Sequence, residues 1–127
     1  MLVRHNPAAI APPFSPYSHA VEVGPDARWL HISGQVGVLP DGSFAKEPSA
    51  QMEQAWRNIL AILKAANMGP HDLVKVTAFL TRAEDVPLFR EVRETLLDDA
   101  RPASSLILVA GLAHPDWVVE IEAVAAS

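Results

Sequence analysis

The residues that could do or support chemistry fall in four places along the chain: Tyr17, Ser33-Gly34, Ser104-Ser105 and Glu120. Glu120 alternates with Glu122 in a strand-like run, which puts both on one face about 6 to 7 Å apart. A carboxylate so placed can hold a water and take its proton; the alternative is cross-strand or intersubunit ion pairing with Lys75 or an arginine. Ser33-Gly34-Gln35 interrupts a strand pattern with glycine. That marks either close approach by a ligand or neighbouring chain or a β-bulge. Tyr17, after Ser15-Pro16, either lids a cleft or anchors a loop. Ser104 and Ser105 follow Arg101-Pro102-Ala103 with none of the His and acid partners that a nucleophilic serine requires, so they read as hydrogen-bonding residues. The five histidines, His5, His19, His31, His71 and His114, are scattered and share no ligand spacing, so no metal is expected.

These positions need elements to hold them. "SHAVEVG" and "RWLHISGQVGV", separated by Gly24-Pro25-Asp26, read as a hairpin. Met52, Ala55, Trp56, Ile59, Leu63 and Ala66 recur at three and four, one buried stripe of a helix that Pro48 and Ser49 start and Gly69-Pro70 stop. In "DLVKVTAFLT" the period of two puts Val74, Val76, Ala78 and Leu80 on one face and Lys75, Thr77 and Phe79 on the other. Asp85 is placed to cap a second helix carrying Val86, Phe89, Val92 and Leu96, which Arg101-Pro102 ends. "SLILVAG" and "WVVEIEAVAA" complete a β-β-α-β-α-β-β order, an α+β class in which two helices cover one face of an antiparallel or mixed sheet. The other face combines Phe79 and Trp29 with Lys75, Glu120 and Glu122. It is too apolar to be simply wet and too charged for a monomer's core, which predicts a closed oligomer.

Composition narrows the function. A chain of 127 residues, half apolar and one-fifth charged, is long enough for one domain spanning 1–127 and too short for two. The absence of cysteine excludes disulfides, a thiolate nucleophile and thiolate metal sites. No apolar run reaches membrane-spanning length, and the proline-rich start lacks a signal-peptide core, so a cytoplasmic location is expected. A net charge of −5, pI near 5.4 and no dense basic cluster disfavour nucleic acid as a partner.

In order and spacing, "SPYSHAV", "ISGQVG", "QMEQAWRNILAILKAANMG", "DLVKVTAFLT", "RPASSLILVAGL" and "VVEIEAVA" resemble the Rid family, the YjgF-like reactive-intermediate deaminases, over nearly the whole chain. The resemblance implies a chorismate-mutase-like protomer, a homotrimer whose sheets form a central barrel, and small-molecule clefts between subunits. Deaminating members hydrolyse short-lived imines and enamines to a 2-oxo acid and ammonia without metal or cofactor. Carried onto this chain, Glu120 falls on the family's water-orienting glutamate, Tyr17 on its cleft tyrosine, and Ser33 and Gly34 on the strand lining the pocket. The family's carboxylate-binding arginine follows Pro-Ala, and here Pro102-Ala103 is followed by Ser104. A hydroxyl in place of a guanidinium forfeits a charge-assisted pair, about 1.5 to 3 kcal/mol. Arg101, on the other side of Pro102, is not placed to substitute without a changed backbone. The expected activity is therefore hydrolysis of an imine, enamine or related C–N substrate other than the usual 2-imino acids. The alternatives are a non-catalytic trimer binding a metabolite or protein partner, a 2-iminobutanoate/2-iminopropanoate deaminase, and the endoribonuclease or translation-inhibitor activity of some relatives.

Overall fold

The apolar stripe between Met52 and Leu63 fixes the largest element, the helix α1 at Pro48–Ala65. Pro48 opens it at a position where its missing N–H costs nothing. In the computed structural model, which describes residues 2–127, β1 (Leu2–His5), β2 (Ala20–Val23) and β3 (Trp29–Gln35) precede α1. After it come β4 (Leu73–Leu80), α2 (Val86–Leu97), β5 (Ala103–Leu108) and β6 (Val119–Ala126).

Four strands form a mixed sheet in the order β3-β6-β4-β5, with β4 and β5 parallel and the other neighbours antiparallel. A parallel pair needs a crossover, and α2 supplies it. Both helices lie on one sheet face. Met52, Ala55, Trp56, Ile59 and Leu63 of α1 and Phe89 and Leu97 of α2 pack there against Val76, Ala78, Leu80, Val119, Ile121 and Ala123. Trp56 is fully buried with its ring centroid 6.1 Å from that of Phe89. Burying a side chain of this kind stabilises the fold by about 1.5 to 3 kcal/mol.

The α+β architecture with two helices over a mixed sheet is the expected one, with three local departures. The hairpin between "SHAVEVG" and "RWLHISGQVGV" does not form: β2 pairs antiparallel with β1, and β3 pairs with β6. The Gly24-Pro25-Asp26 turn joins strands of two different sheets, because turn residues dictate a change of direction and not the partner found afterwards. The β1-β2 ribbon attaches beyond β5 through a parallel bridge between Ser18 and Ala103. On β4, Leu73 and not Val74 is buried, owing to a register shift against β6 between Leu73 and Lys75. Asp85 stands at the N-cap of α2 without capping it; its carboxylate accepts from Arg82 Nε at 2.9 Å instead.

Candidate functional site

Strand register decides which candidate residues meet. Ser104 pairs with Val76, so its side chain points to the helix-covered side, whereas Ser105 pairs with Thr77 and points to the bare side. The two serines therefore part company. Ser105 Oγ accepts from Lys75 Nζ at 2.8 Å on the bare face. Ser104 faces a cleft of about 210 Å³ at the edge of the sheet, lined with it by Phe14, Ser15, Tyr17, Phe89, Arg90, Arg93 and Leu106. Such a volume is below the roughly 300 to 1,000 Å³ of pockets for drug-sized ligands; it suits a small metabolite.

The Ser18–Ala103 bridge brings Tyr17 to this cleft. Ser18 is 1% exposed, its N–H donates to Pro102 O at 3.0 Å and its Oγ to Arg101 O at 2.6 Å. Those bonds pin the N-terminal loop to the start of β5. Tyr17 Oη accepts from Phe14 N at 3.3 Å, and its ring meets His19 edge-on. Tyr17 thus both anchors the loop and lines the cleft.

Arg93 is the residue that sequence reasoning missed. It lies on α2 between Phe89 and Leu97, four residues from each, in the row that packs on the sheet. That spacing, a charge interrupting an apolar stripe, is the signal that would have found it. It is 5% exposed, and its Nη2 is buried with no hydrogen-bond partner. Burial, reinforced by the nearby Arg101, pushes the guanidinium down to about 10. It remains charged at neutral pH.

Glu120 occupies a different place. It pairs with Phe79 on the bare face, beside the irregular stretch of β3 between Ile32 and Gln35 where Ser33 and Gly34 bulge out of register. A Cβ on Gly34 would stand 2.8 Å from Glu120 Cδ and collide with Oε2. Of the two sequence interpretations of Ser33-Gly34, the bulge is present; the space beside Gly34 is taken by the carboxylate of Glu120 from the same chain, not by a ligand or a neighbouring chain. Among the described residues neither Glu120 nor Glu122 makes an ion pair, and Lys75 bonds Ser105. Within one chain, the cross-strand pairing of either glutamate with Lys75 is not formed among the described residues. One chain therefore separates the candidate residues into two groups, Tyr17, Ser104 and Arg93 at the covered edge of the sheet, and Ser33, Gly34 and Glu120 on its bare face.

An α+β chain with both helices on one side of a mixed sheet and the other side bare has the chorismate-mutase-like fold. The family model described as Endoribonuclease L-PSP matches residues 7–127. A Mus musculus protein named 2-iminobutanoate/2-iminopropanoate deaminase is 38% identical over 94% of this chain and 84% of its own. A solved Rid-family structure, YyfB of Yersinia pestis, superposes with a TM-score of 0.89 at 28% identity, covering 99% of this chain and 98% of that one. E. coli TdcF with bound serine gives a TM-score of 0.75 at 30% identity, covering 91% of both chains. The chain belongs to the Rid (YjgF-like) family.

Proposed function

We propose that this chain hydrolyses the C–N bond of a small imine or enamine in a cleft completed between three copies of itself. The observation that carries this reading is the side-chain-free Gly34, which makes room for the carboxylate of Glu120 beside a strand bulge. Glu120 takes a proton from a water as its oxygen adds to the imine carbon, then returns the proton to nitrogen. The hydroxyl of the resulting carbinolamine then gives up its proton, which Glu120 passes to the same nitrogen as the C–N bond breaks, leaving a carbonyl compound and ammonia. No redox partner is required.

Two observations support closure by further copies. Tyr17 and Ser104 stand on the opposite side of the sheet from Glu120, so one chain does not gather them around a single substrate. Trp29 and Ile107, 54% and 43% exposed, lie on the bare face, Ile107 beside Phe79 and Trp29 opposite Ala126, as expected of a surface that packs against like surfaces in a central barrel.

Relatives named 2-iminobutanoate/2-iminopropanoate deaminase make 2-imino acids the reference substrates. Ser104 shifts this chain away from them, because a hydroxyl stands on the β5 position where the family resemblance puts a guanidinium. A cleft that only binds a metabolite is the second reading, favoured by the same serine. The acidic net charge argues against RNA as substrate.

The test generates 2-iminopropionate with an amino-acid oxidase and traps what remains with semicarbazide. Glu120→Gln is expected to cost at least ~100-fold in turnover with an unchanged melting temperature; full activity in that variant would overturn the hydrolytic reading. Ser104→Arg is expected to raise kcat/KM on 2-iminopropionate by about one to two decades. An unchanged value would show that position 104 does not set specificity.

A further inference from the structure

We infer that Arg93 is an anion-binding residue of the cleft, gripping from the helix layer the acidic group of a small substrate that has no guanidinium to meet at position 104. The inference rests on the proposed C–N hydrolysis only for the nature of that substrate. The site itself stands on geometry.

Arg93 is 95% buried by its 5% exposure, yet its Nη2 meets no acceptor. Among the described residues no carboxylate lies within ion-pair distance of it. Leaving a buried charge unpaired is among the most costly arrangements a fold can hold, and a structural role would have given the side chain a partner. Its surroundings add positive potential: Arg90 lines the same cleft, and Arg101 is near enough to depress the proton affinity of Arg93. The hydroxyls of Ser15, Tyr17 and Ser104 border the same space. Arg93 lines this small cleft with hydroxyls around it, and the planar fork of a guanidinium matches a carboxylate, which it binds through two parallel N–H···O bonds. The clamp has moved from β5 to α2, across the cleft. A substrate held by it presents its reacting carbon differently from a 2-imino acid held at position 104, in keeping with the altered specificity proposed above.

Binding of pyruvate and of its uncharged ester, methyl pyruvate, to the whole protein separates the possibilities without turnover. By NMR titration wild type is expected to bind pyruvate at least tenfold more tightly than the ester. Arg93→Met should remove the preference while leaving ester binding unchanged, and its melting temperature should equal or exceed that of wild type, since an unpaired buried charge is lost. Arg93→Lys, which keeps the charge and loses the fork, should retain part of the preference. If wild type does not discriminate, or if Arg93→Met discriminates as wild type does, the assignment is overturned. A drop in melting temperature for Arg93→Met with the preference intact identifies a structural arginine and likewise overturns it. Should discrimination depend on Arg93 in a protein that hydrolyses no imine, the anion site stands and the hydrolytic reading falls.

Discussion

At the scale of single residues, Gly34 matters through the side chain it lacks. Its φ is not in the left-handed region, so Gly34→Ala leaves the backbone unstrained, but the new methyl takes the place of Glu120's carboxylate. Glu120 is half-buried and flexible enough to swing away. Stability should change little, whereas displacing the carboxylate by about 1 Å should cost on the order of 100-fold in turnover, read as kcat on 2-iminopropionate beside a thermal melt. Arg93 carries a prediction in pH. The guanidinium is charged below about 10 and loses its proton above it, so the preference for pyruvate over methyl pyruvate should be flat from neutral pH to about 9 and decline as pH rises through about 10. A decline already at neutral pH would point to a different titrating group.

At the scale of elements, α1 does more than fill the core. Buried Gln51 donates through Nε2 to Ala45 O and Asp116 O at 3.0 and 2.9 Å, and its Oε1 accepts from Val118 N at 2.9 Å. Two turns further along, Asn58 donates to Val36 O and Val38 O. The loop after β3 and the loop before β6 are thereby tied to the helix, and Phe44, His114 and Trp117 cluster over the joint. Gly37 sits where a Cβ would meet Gln51 Cα at 2.5 Å and Gln51 O at 2.6 Å. Because those atoms are helix backbone and cannot yield, Gly37→Ala should destabilise by about 1 to 3 kcal/mol and lower the melting temperature by several degrees. Ile59→Ala, a deletion in the fully buried stripe, should cost about 2 to 5 kcal/mol in denaturant unfolding.

At the scale of the whole molecule, the proposed assembly and the proposed activity meet on the bare face. Exposed Trp29, Ile107 and half-buried Phe79 share that face with Glu120, so the same association that covers apolar surface would bring one copy's carboxylate towards another copy's cleft. Sedimentation velocity should give a trimer for wild type and a lighter species for Trp29→Asp. The dissociated variant should lose hydrolysis, even though none of its own cleft residues is changed. A monomeric variant with full activity would refute the intersubunit site.

The sequence by itself determined the α+β class, the span of α1 and the two-faced pattern of β4 and β6, because each rests on local periodicity: an apolar stripe at three and four, or alternation at two, can be satisfied by only one kind of element. It was silent on partners. Leu2–His5 is four mostly exposed residues without a period, so β1 left no signal, and the Gly24-Pro25-Asp26 turn is equally compatible with a hairpin and with the long-range pairing of β3 to β6. Adjacent Ser104 and Ser105 look interchangeable until the parallel register with β4 sends one to the cleft and the other to the bare face. Arg93 differs from Arg90 in the sequence by its place in the row of Phe89 and Leu97, but only the packing of α2 on the sheet leaves its buried Nη2 without an acceptor. Those distinctions depend on contacts between segments far apart in the chain, which local pattern does not encode and tertiary structure alone decides.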